Sequence, residues 1–263
     1  MILDRFRMND RVAVVTGASK GIGRGIALAF AEAGADLVLA SRTRADLDRV
    51  AEAVRERGRR AVVVPCDVND RAQLEAVASS AWKEFGRIDV LVNNAGGSPP
   101  KPALRTSEKM FEAAFHFNVT SAFLLSRLCI PHMLEGDGGT ILNISSGMSW
   151  LVEKGFVAYG TAKAALSHMT RLLAYEMAPR VRVNAIAVGA VATEALLPFL
   201  ELMPEARARL EAGTPMHRIG EPEDIAAAAV YLCSPAGAWV TGKVFEVDGG
   251  TVASNWPLEM PAS

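Results

Sequence analysis

Tyr159 and Lys163 stand four residues apart in the run Tyr159-Gly-Thr-Ala-Lys163, a spacing that brings both side chains to one face of a helix. A free tyrosine ionises near pH 10, too high for ready proton exchange at neutrality, but an adjacent ammonium favours the phenolate. Lowering its pKa by about three units takes roughly 4 kcal/mol of differential stabilisation, within reach of Lys163 and a second nearby cation. The pair therefore reads as a general acid/base.

A second patch of chemistry lies in Thr16-Gly17-Ala18-Ser19-Lys20-Gly21-Ile22-Gly23, between an apolar run and a helical pattern. Glycines let a chain turn tightly there and bring backbone N–H groups and the positive helix end up to a pyrophosphate. The spacing G-x-x-x-G-x-G differs from G-x-G-x-x-G, and glycines alone also make plain tight turns.

The glycines, Tyr159 and Lys163 together resemble the short-chain dehydrogenase/reductase family, whose T-G-x-x-x-G-x-G and Y-x-x-x-K patterns are matched residue for residue. The resemblance runs along nearly the whole chain. It implies hydride transfer between a nicotinamide dinucleotide and an alcohol/carbonyl pair, with Tyr159 as acid/base and Lys163 beside it. Ser146, thirteen residues before Tyr159 in Asn143-Ile-Ser-Ser146, has the family's spacing for a catalytic serine that hydrogen-bonds the substrate oxygen. Ser145 is the neighbouring alternative, but strand alternation turns it to the opposite face. Asn118, in Phe117-Asn118-Val119, matches the fourth catalytic residue, which holds a water in a proton relay with Lys163.

For the cofactor, the resemblance implies contacts from Gly17, Ser19, Lys20, Gly21, Ile22 and Gly23, and from Asp67 and Val68 beside adenine. Asn93, Ala95 and Gly96 in Asn93-Asn94-Ala95-Gly96 match the family's N-N-A-G, which steadies the sheet and touches the ribose. Tyr159, Lys163, Val191 and Thr193 complete the implied set, the last two around the nicotinamide. Where the family shows N-x-x-x-P-G, this chain has Asn184-Ala-Ile-Ala-Val188-Gly189. Val188 restores a backbone donor and frees φ, so the following loop is expected to differ in rigidity.

NAD-preferring sites place an acid at the carboxyl end of the second strand, and NADP-preferring ones a base. That strand ends here in Ala40-Ser41-Arg42. Asp36 begins the strand, about 16 Å from the cofactor end at roughly 3.3 Å per residue, and Asp46 lies on the next helix. Arg42 can grip a phosphate bidentately, and Lys20 matches a basic position of NADP-preferring relatives. NADP(H) is the favoured cofactor, with NAD(H) the alternative.

These residues need a scaffold, and the apolar runs supply one. Strands are expected at Arg11–Thr16, Asp36–Ala40, Ala61–Cys66, Ile88–Asn93, Thr140–Ser145, Val181–Ala187 and Val244–Val247, with helical patterns between them. Continuous apolar strands imply a sheet covered on both faces. The fold class is thus α/β, a Rossmann-like, doubly wound, seven-stranded parallel sheet with helices on both faces, in one domain over residues 1–263.

The apolar stretch around 194–212, with Leu196, Leu197, Phe199, Leu200, Leu202 and Met203, corresponds to the family's substrate lid and suggests a hydrophobic substrate. Met148, Trp150 and Phe156 would line the same pocket, with core packing an equal explanation for each. Asn93 to Pro102 and Thr214 to Gly250 resemble bacterial 7α-hydroxysteroid dehydrogenases and 3-oxoacyl-carrier-protein reductases, so both substrate types stay open. The rival reading is a cofactor-binding regulatory protein without turnover, which has no use for a proton relay.

Bulk composition narrows the classes further. Half of the residues are hydrophobic and 22% charged, enough for a large core. A net charge of -1, spread along the chain, gives no field for nucleic acid or anionic lipid, which leaves a small-molecule partner. Met1 to Arg11 has no apolar signal region, and the run 184–200 is interrupted by polar residues and Pro198, so neither secretion nor membrane insertion is expected. Cys66, Cys129 and Cys233 form no C-x-x-C pair and read as buried thiols of a cytoplasmic protein. The four histidines show no ligand spacing, so no metal is expected. The family habit is a homotetramer or homodimer, paired through helices near 106–135 and 156–178.

Overall fold

The apolar runs form the strands β1 (Val12–Thr16), β2 (Asp36–Ser41), β3 (Ala61–Pro65), β4 (Val90–Asn93), β5 (Gly139–Ser146), β6 (Val181–Val188) and β7 (Val244–Val247). They build one parallel sheet in the order β3-β2-β1-β4-β5-β6-β7. The computed structural model describes residues 1–257. Nine α-helices lie among these residues: α1 (Gly21–Glu32), α2 (Arg44–Glu56), α3 (Arg71–Phe85), α4 (Glu108–Phe115), α5 (Ser121–Glu135), α6 (Val157–Met177), α7 (Leu197–Leu202), α8 (Pro204–Ala212) and α9 (Pro222–Cys233).

The strands read as unbroken apolar runs because each face feeds a different core. Ala13, Val15, Leu37 and Leu39 pack with α1, α2 and α9 through Phe30, Leu47 and Ile225. Val12, Val14, Val38 and Ala40, offset by one residue, pack with α3 and α5 through Leu74, Leu125 and Met133. Full burial of each large side chain contributes about 1.5 to 3 kcal/mol. On the first face, a Cβ on Gly25 would come within 2.9 Å of Pro222, so a glycine lets α1 and α9 approach closely. Asp70 caps α3 by accepting from the amides of Ala72 and Gln73, typically worth about 1 kcal/mol.

The strand order reverses at β1, whose two neighbours are β2 and β4. In open α/β sheets, ligands settle beyond the carboxyl ends of the strands at such a reversal. One boundary differs from expectation with a consequence for that end. β6 runs on through Val188, which is in register with Ser146 on one side and Val247 on the other. The valine allows the strand to continue where a proline would remove a donor, so the irregular loop starts only at Gly189.

α4, a π turn at His116–Thr120 and α5 form one 28-residue helical run, Glu108–Glu135, long and apolar enough by composition to cross a membrane. Nearly half of its most apolar window, 44%, is packed inside the protein, as expected of a core helix. All three cysteines are unpaired and buried, and burial pushes their thiols up to about 11 for Cys66 and about 12 for Cys129 and Cys233.

Candidate active site

A cleft of about 700 Å³ opens at the carboxyl ends of β1, β4, β5 and β6. Its walls carry Lys20, Gly21 and Ile22 at one end and Ser146, Met148, Tyr159 and Lys163 at the other, with Gly96, Val191 and Thr193 between.

At the first end, β1 passes into α1 through Gly17 and Gly21, both at positive φ (61° and 48°), where a side chain would be strained. A Cβ on Gly23 would sit 2.3 Å from the Gly17 carbonyl oxygen, so the turn also excludes one sterically. Thr16 ties this turn to the end of β4: its hydroxyl donates to Val92 O and accepts from the amides of Asn94 and Ala95. Asn94 closes the link by donating to the carbonyls of Thr16 and Gly17. The neighbouring Asn93 turns the other way. Its side chain is buried in the sheet and donates to Asn143 and Ser126, so it braces β4 against β5 rather than facing the cleft.

The residues expected to discriminate between the two cofactors are more dispersed. Ser41 ends β2 with its hydroxyl buried and, among the described residues, unpartnered. Arg42 is exposed beside it. Lys20 lies 3.4 Å from the Asp46 carboxylate, which also pairs with Arg49, so its charge is partly balanced. Asp36 is held at the opposite strand end by Arg59 and the Arg60 amide, away from this site. Asp67 folds its carboxylate back onto the amide and side chain of Asn69, and Val68 is buried beside it.

At the other end, β5, α6 and the π turn bring four side chains together. The Ser146 hydroxyl accepts from the Met148 amide. The Ser145 hydroxyl bonds to Ser167 and the Lys163 carbonyl, so strand alternation does send it towards α6. Lys163 is buried, with Nζ donating to Ile144 O at 2.7 Å and lying 5.7 Å from the Tyr159 ring centre. Asn118 donates to the carbonyls of Ala114 and Gly97 and accepts from the Gly97 amide. Asn118 and Lys163 converge on Gly96, where a Cβ would lie 2.7 Å from Asn118 Oδ1 and 3.1 Å from Lys163 Nζ.

Burial dominates the electrostatics of this end. It lowers the Lys163 ammonium to about 8 and raises the Tyr159 phenol above its ordinary value, an effect that the neighbouring Ser146 hydroxyl opposes. Desolvation disfavours the phenolate, and the Lys163 ammonium donates to the Ile144 carbonyl. Lys163 becomes the more easily deprotonated cation, suited to pass a proton near neutrality.

The outer wall is apolar. Phe199 on α7 stacks on Trp256 at 6.1 Å, and Trp256 meets Phe156 edge-on at 5.1 Å. The segment around 194–212 holds its own small core of Leu200, Ala206 and Leu210, joined by Ile219. Sequence reading missed Asn94, Glu194 and the C-terminal Asn255 and Trp256. Asn94 lies inside the N-N-A-G motif but carries no signal of which way it turns, neither periodicity nor motif marks the other three, and a tail tryptophan offers no signal of where it returns. Among the described residues, no cluster of three or more metal-ligating side chains occurs.

Comparison with known proteins defines the class. A family model described as enoyl-(acyl carrier protein) reductase matches residues 17–252. The chain belongs to the short-chain dehydrogenase/reductase family and is an oxidoreductase of that family. It is 52% identical to an uncharacterized oxidoreductase of Mycobacterium tuberculosis over 99% of both chains. It is 39% identical to 7alpha-hydroxysteroid dehydrogenase of Escherichia coli K12, over 95% of this chain and 97% of the relative. A solved 7alpha-hydroxysteroid dehydrogenase complexed with NADH and 7-oxo glycochenodeoxycholic acid superposes with a TM-score of 0.92 at 38% identity, covering 96% of this chain and 98% of that one.

Proposed function

We propose that this protein interconverts a ketone and a secondary alcohol on a hydrophobic small molecule, using NADP(H) in preference to NAD(H). The observation that carries this reading is a single cleft with a glycine-lined helix end at one side and Ser146, Tyr159 and Lys163 at the other. The dinucleotide fits the residues present. Gly17 and Gly21, at positive φ, make the tight turn that presents the first-turn amides of Ile22 and Gly23 to a phosphate.

When bound, the nicotinamide supplies or accepts the hydride. Ser146 and Tyr159 orient the substrate oxygen, and Tyr159 donates its proton as negative charge develops on that oxygen during reduction. Lys163, held near pH 8, restores the phenol proton, and Asn118 fixes the Gly96-Gly97 loop against it. The raised phenol suits this direction, because Tyr159 is protonated at neutrality.

Arg42 supports NADP(H): it is exposed at the β2 end, with the buried Ser41 hydroxyl beside it and no acid at the strand terminus. The aromatic wall of Phe156 and Trp256, with Phe199 stacked against Trp256, supports a bulky apolar substrate of hydroxysteroid or 3-oxoacyl type. We further propose that residues 194–212 act as the lid of this one domain. A cytoplasmic setting, supported by the three unpaired thiols, and a homotetramer or homodimer complete the reading.

Dinucleotide consumption with steroid, 3-oxoacyl and small-ketone panels tests it. Turnover of a bulky ketone with NADPH is expected. Dinucleotide binding without turnover on any panel would favour the regulatory reading instead.

A further inference from the structure

The root of the 194–212 segment is fastened to the glycine turn through Glu194. One carboxylate oxygen accepts from the Gly21 amide at 2.8 Å, across 173 residues of sequence. The other meets Arg24, one turn along α1, at 2.8 Å. Lys20 at the helix N-cap provides no side-chain cap, so Glu194 caps α1 from a distant segment. An acid at this helix end is also favoured by the helix dipole. The contact leaves the first-turn amides of Ile22 and Gly23, which no helix can satisfy internally, for another anion.

The adjoining residue gives this cap its consequence. Thr193 packs so closely on the turn that a Cβ on Gly21 would lie 2.9 Å from its Cγ2. The amides of Leu196 and Leu197 both donate to the Thr193 carbonyl, which starts the turn leading into α7. Thr193 and Glu194 both line the cleft. A fixed point at Glu194 therefore sets two things together: the distance from Thr193 to the glycine turn and the end about which 195–212 can move.

We propose that Glu194, paired with Arg24, is a positioning residue for dinucleotide binding that acts through Thr193 and anchors the lid to the cofactor helix. This inference rests on the dinucleotide reading above. Its energetic reach is modest because both partners are partly exposed, about 44% for Arg24 and 39% for Glu194.

The test is equilibrium titration of NADPH by fluorescence on the full-length protein and on Glu194→Ala, Glu194→Gln and Arg24→Ala, with thermal melts and steady-state kinetics alongside. Glu194→Ala is expected to weaken NADPH binding about five- to tenfold, in line with loss of one charge-assisted bond at a part-exposed site. The KM for NADPH should rise by a similar factor while kcat stays within about twofold. Glu194→Gln, which retains an acceptor for Gly21, and Arg24→Ala should each show a smaller loss. A lower melting temperature with unchanged NADPH affinity would reduce Glu194 to a helix cap and overturn the proposal. Tighter binding in Glu194→Ala would also overturn it, because the carboxylate would then compete with the cofactor phosphates. If the unsubstituted protein binds neither NADPH nor NADH, the functional reading fails and takes this inference with it.

Discussion

At one end of the cleft, Asn118, Ser146, Tyr159 and Lys163 come from a π turn, a central strand and a 21-residue helix, and buried hydrogen bonds hold Asn118 and Lys163. Ser41 and Arg42 lie outside the cleft lining, at the end of β2, with the Ser41 hydroxyl unpartnered among the described residues and the Arg42 side chain exposed. The contrast separates two requirements. The proton transfer proposed for the first group tolerates little misplacement, and its residues sit on elements that also build the core. Recognition of one phosphate needs only a charge within reach, which an exposed side chain can provide.

Substitutions should expose this difference. Tyr159→Phe is expected to lower kcat by about 10² to 10⁴, the usual range for a general acid/base, while NADPH affinity stays within about twofold. Turnover that survives this change would remove Tyr159 from the proposed role. Arg42→Ala should shift the NADPH-to-NADH affinity ratio about ten- to a hundredfold towards NADH, matching one or two charge-assisted bonds. Measuring both dissociation constants checks it, and a constant ratio would detach cofactor choice from the β2 end.

The pH profile probes the catalytic end more finely. Lys163 is an ammonium below about 8 and an amine above it. Ketone reduction should therefore decline as pH rises through that value, and Lys163→Arg should remove the limb at some cost in rate. A flat profile across this interval would contradict the relay. The same shift has a stability consequence: between about 8 and the ordinary lysine value of 10.5, the unfolded chain binds more protons, so folding is favoured progressively as pH rises. Denaturant titrations of the parent protein and Lys163→Met would reveal a difference with that slope.

The smallest effect is expected at the apolar wall. Trp256→Ala removes two aromatic contacts and should raise KM for bulky ketones about three- to tenfold, with small ketones little affected. Equal effects on both substrate sizes would argue that the tail has only a structural role.

Much of this architecture was legible in the residues themselves. The strands are short, apolar and bounded by turn residues, so all seven were placed with end shifts of two residues or fewer. The glycine turn and the Tyr159–Lys163 pair were legible because local geometry dictates both, through positive φ in one case and helical spacing in the other. Local chemistry also separated Ser145 from Ser146. The identity of Val188 indicated that the loop would differ, but its pairing with both Ser146 and Val247 set where the strand ended.

Tertiary structure decided what depends on separation in space rather than in sequence. It turned Asn93 into the sheet and Asn94 towards the glycine turn, although both belong to one motif. It set how strongly burial opposes ionisation of Tyr159, because desolvation depends on what covers a group and no spacing rule measures that. It brought Glu194 to Gly21 and Trp256 to Phe199, contacts between segments that share no local pattern. The sequence determined the sheet, the turn and the candidate reactive groups, since these follow from backbone preference and side-chain type. Their charge states and distant partners were decided by packing.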